Sequence, residues 1–182
     1  HKPSGCVTTL QDERGRLTVM DYLKKVETRV FPVGRLDYNT QGTLLFTNDG
    51  QLARKLLDPK FKVPRTYQVK VRGVPDEKTL ARLRKGIQLN NQPTEPVKAR
   101  KDRISGKNCF LTLKLIEGKN RHIKRICEKI GHPVIRLKRT HFAFLGLKGL
   151  NPGQFRHLNP KEIQSLRQCV DKAKEQRVAK TG

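Results

Sequence analysis

Two stretches, 97–104 and 109–116, read as strands, and the four residues between them, Ser105-Gly106-Lys107-Asn108, can join them as a hairpin. That link constrains the fold strongly. Parallel strands need a crossover of a dozen or more residues, whereas antiparallel neighbours need a short turn. Further strands are expected at 31–36, 43–47, 66–71 and 134–137. In 66–71, Tyr67, Val69 and Val71 alternate with Thr66, Gln68 and Lys70, so the two sets face opposite sides. Helical spacing of Val19, Met20, Leu23 and Val26 predicts a helix over 17–26. Others are predicted over 51–57, stopped before Pro59, over 76–85, ended by Gly86, and over 121–130, ended by Gly131. Asn159 and Pro160 open a last helix as cap and first position. The mixture predicts an α+β domain, a largely antiparallel mixed sheet flanked by helices. A doubly wound parallel fold would place a helix after nearly every strand. From about Asp171 the apolar pattern fades, and 171–182 is expected to be a frayed basic tail.

Charge narrows the partners. Forty Lys and Arg face sixteen Asp and Glu, a net of +24. Such an excess repels itself in a compact state unless a polyanion is near. Nucleic acid is the first partner to expect and an anionic membrane surface the second. No apolar run approaches the roughly 20 residues of a membrane span, and the first residues, His1-Lys2-Pro3-Ser4-Gly5, have no apolar signal core. Cys6, Cys109, Cys127 and Cys169 form no CxxC pair and no ligand spacing with histidine, which argues against zinc. They read as buried thiols of a reducing compartment, so a cytoplasmic protein is expected. Fourteen basic residues fall between 98 and 139, opposed by Asp102, Glu117 and Glu128. A cluster of that size suits phosphate contacts, which fix register without reading sequence.

Residues 33–50 carry the most chemistry. Asp37 sits in a polar loop between two apolar segments, well placed for a cleft, although aspartate is also a common turn former. Asp49, in Asn48-Asp49-Gly50, reads as a turn or helix cap.

The segment Gly34-Arg35-Leu36-Asp37, followed by Thr40, Gly42 and Thr47-Asn48-Asp49-Gly50, resembles the signature of the RsuA-type pseudouridine synthases, the group that includes RluB, RluE and RluF. Three more matches follow the order of that family. Lys2-Pro3-Ser4-Gly5 resembles its opening KPxG, and 64–69 its K/R-x-Y-x-V strand. Residues 117–125 with 131–139 resemble its EGKNRQIRR…GHPVxxLxR block. The likeness runs from Lys2 to about Leu158, and Lys119-Asn120-Arg121 favours the large-subunit branch.

The resemblance implies an isomerase that converts uridine in RNA, most readily ribosomal RNA, to pseudouridine on the pseudouridine synthase catalytic fold. The bond from sugar to N1 of uracil breaks, the base turns, and a carbon–carbon bond to C5 forms. It implies Asp37 as nucleophile, needing no cofactor and no metal, because a carboxylate can attack or abstract a proton unaided. It implies that Lys124, with Arg125 as competitor, keeps Asp37 ionised. Tyr67 would stack on the uracil and Leu137 would line the pocket. Arg35 would fill the space left by a flipped base or hold its phosphate. Arg121, Arg125, Lys138 and Arg139 are expected to bind substrate. From the residues alone, Lys124 reads instead as a solvated helix charge and Tyr67 as a core aromatic. His122 stands where relatives commonly carry Gln, and Thr43 where Leu is common. A single catalytic domain over 1–170 is expected, without the S4-type domain that usually precedes KPxG in this family, acting as a monomer. Two rivals are a non-catalytic basic RNA-binding protein on the same scaffold and a metal-dependent nuclease using Asp37 and Asp49. The second suits an acid-poor chain badly.

Overall fold

The computed structural model describes the backbone of residues 1–178 and side chains up to Asp171. The chain divides into two compact units, where one domain was expected. One combines residues 1–63 with those from His141 onward, and the other is the contiguous stretch 64–140. We call them the split unit and the contiguous unit.

In the split unit, the helix expected over 17–26 is a single 3₁₀ segment, Val19–Leu23. Thr18 and Asp21 close a capping box on it: Thr18 Oγ1 accepts from Met20 N, and the Asp21 carboxylate accepts from Thr18 N. Val19 and Leu23 already bury its apolar face, and Lys24 and Lys25 beyond them are exposed. The strands expected at 31–36 and 43–47 shrink to β1, Phe31–Pro32, and β3, Phe46–Thr47, paired antiparallel. One further backbone bond follows Pro32, from Val33 N to Leu45 O at 2.7 Å. Between them lies β2, Gln41–Gly42. Helix α1, Gly50–Leu57, is capped by Asp49, whose carboxylate accepts from Leu52 N at 2.9 Å. It buries Leu52, Ala53 and Leu56 against Val33, Phe142 and Leu166. The closing helix α4, Pro160–Val178, starts on a reciprocal cap between Asn159 and Glu162. It continues through the stretch expected to fray; 179–182 lie outside the described residues.

The contiguous unit is built on strands in the order β9-β4-β8-β7. These are β4 Arg65–Arg72, β7 Lys98–Ser105, β8 Asn108–Leu115 and β9 Val134–Phe142, the last leaving this unit after Thr140. β8 runs antiparallel to both β4 and β7, and the expected hairpin closes at Ser105 opposite Asn108. β9 is longer than expected, because its second half is charged and carries no apolar alternation. A small hairpin, β5 Gln88–Leu89 with β6 Gln92–Pro93, escaped the sequence reading. Its turn residues Asn90 and Asn91 both have positive φ, which suits Asn at a tight hairpin turn. Helices α2, Glu77–Lys85, and α3, His122–Lys129, cover one sheet face. Val69, Val71, Leu111 and Leu113 pack there against Leu80, Leu83 and Ile126. Each such side chain contributes about 1.5–3 kcal/mol by leaving water.

Cys6, Cys109 and Cys127 are buried thiols as expected, whereas Cys169 is only partly covered. Among the described residues no helix is long and apolar enough to cross a membrane.

Candidate active site

In the split unit the loop bearing Asp37 is strapped from beneath by the first residues of the chain. Lys2 is 4% exposed. Its ammonium donates to the carbonyl oxygens of Pro3 at 3.0 Å, Asp37 at 3.2 Å, Tyr38 at 3.3 Å and Thr40 at 3.0 Å. Three N–H groups serve four acceptors, so at least one is shared. Lys2 also pairs with Gly42 through both backbone bonds. Thr40 N closes the turn by donating to Asp37 O at 2.9 Å, and Gly5 N donates to Tyr38 O. Upstream, Thr8 Oγ1 donates to Leu36 O and accepts from Leu36 N. Leu36 is buried, Asp37 half-buried and Arg35 exposed. Burial pushes the Lys2 pKa down, while the neighbouring Cys6 thiol and Asp37 carboxylate pull it up. The result is a carboxylate on a backbone fixed at nearly every polar group, which is what a positioned nucleophile needs. Gly34, at φ +77°, turns the chain into this loop.

The contiguous unit holds the other expected groups. Tyr67 and Leu137 lie on the helix-covered side of the sheet, Leu137 buried and Tyr67 packed partly into the same core. Lys124 and Arg125 are half-buried on α3 and Arg121 is exposed at its start. Arg121 takes a left-handed conformation, φ +46°, and its side chain does not cap the helix. Arg125 lines a polar cavity of about 280 Å³ with Lys119, His122 and Thr94. His122 is buried and contacts Glu117 at 3.0 Å, and Lys119 reaches the same carboxylate at 2.9 Å. Burial holds His122 below its ordinary pKa, the charge of Glu117 opposing. Lys138 is half-buried, whereas Arg139 is 3% exposed and turned inward. Arg65 is buried near it, its pKa lowered by burial, with Tyr67 opposing and Arg139 adding.

Two residues gain weight that the sequence alone did not give them. Lys2 and Arg65 lie inside matched motifs, but in so basic a chain each reads as one more surface cation. Asp49 loses weight as a metal ligand, since its carboxylate caps α1 and faces Arg167 at 3.5 Å. A cleft of the split unit, about 440 Å³, is lined by many Leu side chains together with Thr, His and Arg and does not include Asp37.

Known proteins resemble this chain in sequence and fold. The family model for RNA pseudouridylate synthase matches residues 1–129. Ribosomal large subunit pseudouridine synthase B of Bacillus subtilis (strain 168) is 43% identical over 176 residues, which is 96% of this chain and 72% of that protein. The protein of the same name from Pasteurella multocida (strain Pm70) is 39% identical; all of this chain is covered, but 56% of that protein. A crystal structure of a pseudouridylate synthase superposes with a TM-score of 0.79 at 29% identity, covering 91% of this chain and 70% of that one. With the motifs in family order and the fold in common, the chain belongs to the RNA pseudouridylate synthase family.

Proposed function

We propose that this chain isomerises uridine to pseudouridine in large-subunit ribosomal RNA, with Asp37 as the nucleophile. The observation that carries the choice of Asp37 is the Lys2 strap, which spends a buried ammonium on the backbone of that one loop. The ribosomal target rests on the names of the relatives, and the excess of basic residues suits an RNA of any kind.

In this scheme the target nucleotide leaves its stack before chemistry begins. Asp37 then attacks the substrate or abstracts a sugar proton, and the bond between C1′ and N1 breaks. The freed uracil turns and bonds to C1′ through C5 as Asp37 leaves the substrate or returns its proton. C5 then loses its proton and N1 takes one up, which leaves an isomer and a free carboxylate. Lys124 serves as the cation that keeps Asp37 ionised, and Tyr67 and Leu137 provide the aromatic and apolar contacts for the base. Arg35 occupies the space left by the flipped nucleotide. Arg121, Arg125 and Lys138 steady the phosphates. The protein acts as a monomer in the cytoplasm, on RNA and without a cofactor.

The deciding experiment is site-resolved pseudouridine mapping of ribosomal RNA from cells with and without the gene, rescued by wild type or by Asp37→Asn. Loss of a single pseudouridine, restored by wild type alone, is the expected result. An unchanged map would leave the non-catalytic RNA-binding protein as the better description.

A further inference from the structure

One face of the β9-β4-β8-β7 sheet is covered, since Val69, Val71, Leu111 and Leu113 pack against α2 and α3. The alternate residues of these strands point the other way, and there the chemistry inverts. On that face β7 presents Lys98, Arg100 and Arg103, β8 presents Lys114, and β4 presents Lys70 and Arg72. The bulge between Lys101 and Arg103 brings Asp102 to the same side. Its carboxylate is already engaged, accepting from the Thr112 hydroxyl at 2.7 Å and pairing with Arg100 at 3.0 Å. Lys98 stands directly opposite Lys114, a like-charge cross-strand pair that a sheet disfavours. Among the described residues, neither of them nor Lys70 has a carboxylate partner.

Phe110 sits among these cations, with the Arg103 guanidinium 4.2 Å and the Lys70 ammonium 5.5 Å from its ring centre. Both charges lean on the ring quadrupole. The ring thus fixes two cations in place and offers little bare surface for a base to stack on.

We propose that this open sheet face is an RNA surface in its own right, one that grips the phosphate backbone of a double-helical segment flanking the stretch to be modified. The proposal rests on RNA being the substrate. Its cations form a rigid lattice, spaced roughly 7 Å along each strand and roughly 5 Å between strands. Duplex RNA is held through phosphates, 2′-hydroxyls and shape, for which such a lattice suffices. Single-strand binders instead expose aromatic platforms, and Phe110 is occupied. An anionic membrane surface would attract the same charges, but its grip grows with inserted apolar area, and the ring on this face is covered by charge. The same β4 that offers Lys70 here turns Tyr67 to the opposite face, so this grip is separate from the base pocket proposed above.

The test is the triple variant Lys98→Gln, Arg103→Gln, Lys114→Gln, which removes three charges from exposed positions. A thermal melt close to that of the parent shows that it folds. Binding is measured by fluorescence anisotropy across a salt series, on an RNA duplex of about 16 base pairs, on single-stranded oligouridine, and on phosphatidylserine vesicles. For the duplex, affinity should fall by about tenfold or more and the log–log salt slope should become shallower by about 2–3. Affinity for oligouridine should hold within about twofold, and tritium release from saturating labelled ribosomal RNA should be unchanged. Unchanged duplex affinity and slope would overturn the proposal, as would an equal loss on oligouridine or a loss confined to vesicles. If the parent released no tritium from any RNA, the synthase assignment would fail while the duplex arm still decided this one.

Discussion

The buried ammonium of Lys2 donates to the backbone carbonyl of Asp37 at 3.2 Å, joining residues 35 apart in the chain. Lys2→Met keeps most of the side-chain volume and removes the ammonium donor from four carbonyls, of which those of Asp37 and Tyr38 keep a backbone donor. We expect a loss of stability on the order of 2–3 kcal/mol, the scale of losing charged hydrogen bonds to buried groups. The RNA dissociation constant should hold, while tritium release at saturating RNA falls by more than about tenfold. A variant that lost stability with turnover intact would make the strap purely structural.

Asp37→Asn is nearly isosteric and removes the anionic oxygen. Release of tritium from C5-labelled uridine should drop by several orders of magnitude, and filter binding should show RNA affinity nearly unchanged. A folded variant within about tenfold of wild type, a barrier change of about 1.4 kcal/mol, would mean that Asp37 is not the nucleophile.

Gly34 has φ +77°, and a Cβ built on it would lie 2.9 Å from Leu57 Cδ2. Leu57 is 41% exposed and can swing aside, but the backbone angle remains. Gly34→Ala should therefore cost about 1–2 kcal/mol. Adding Leu57→Ala should not recover it. Recovery in the double variant, measured by urea unfolding, would locate the cost in the side-chain clash instead.

At the start of α4, hydrogen bonds from Arg156 and from the backbone N–H of Asn159 hold the Glu162 carboxyl at about 2, below its ordinary 4.5. A depressed carboxylate stabilises above its unfolded value and loses that contribution as pH falls through the folded one. The melting temperature of wild type should thus exceed that of Glu162→Gln at neutral pH. The gap should close between pH 4.5 and about 2. A gap independent of pH would remove the carboxylate from the account.

Burial pushes the Cys127 thiol up to about 12, and Cys6 and Cys109 are raised for the same reason. Thiolate is the reactive form. Iodoacetamide at mildly alkaline pH should label Cys169 in the native protein and all four cysteines after unfolding, as read by mass spectrometry. Labelling of Cys127 at the rate of Cys169 would contradict its burial.

Elements that carry their own punctuation were legible in the sequence. Helices α1, α2 and α3 begin and end within a residue or two of expectation, because Asp49, Asp76 and Gly86 mark their limits. The β7–β8 hairpin was legible from its turn. Elements decided by distant partners were not. The apolar run at 43–47 makes a strand only where β1 meets it. Val19–Leu23 shows helical spacing but has too little apolar surface beyond it to continue. Among site residues, Asp37 stood out because it lay in a polar loop between apolar segments and matched the family signature. Lys2 did not, because only closure of the fold buries it.

The division of the chain sets an order of events during synthesis. The Asp37 loop and the Lys2 strap emerge before the contiguous unit, yet Phe142 and Leu166, which complete their unit's core, lie beyond the whole of it. At roughly 5–20 residues per second, the ribosome takes several seconds to cross that interval. The contiguous unit finishes its β7–β8 and β4–β8 ladders in that time from sequence already made. The loop that bears Asp37 is therefore set rigid only after the contiguous unit and the segment carrying Phe142 and Leu166 have been made, and a nascent chain arrested within the contiguous unit carries that loop without its finished core.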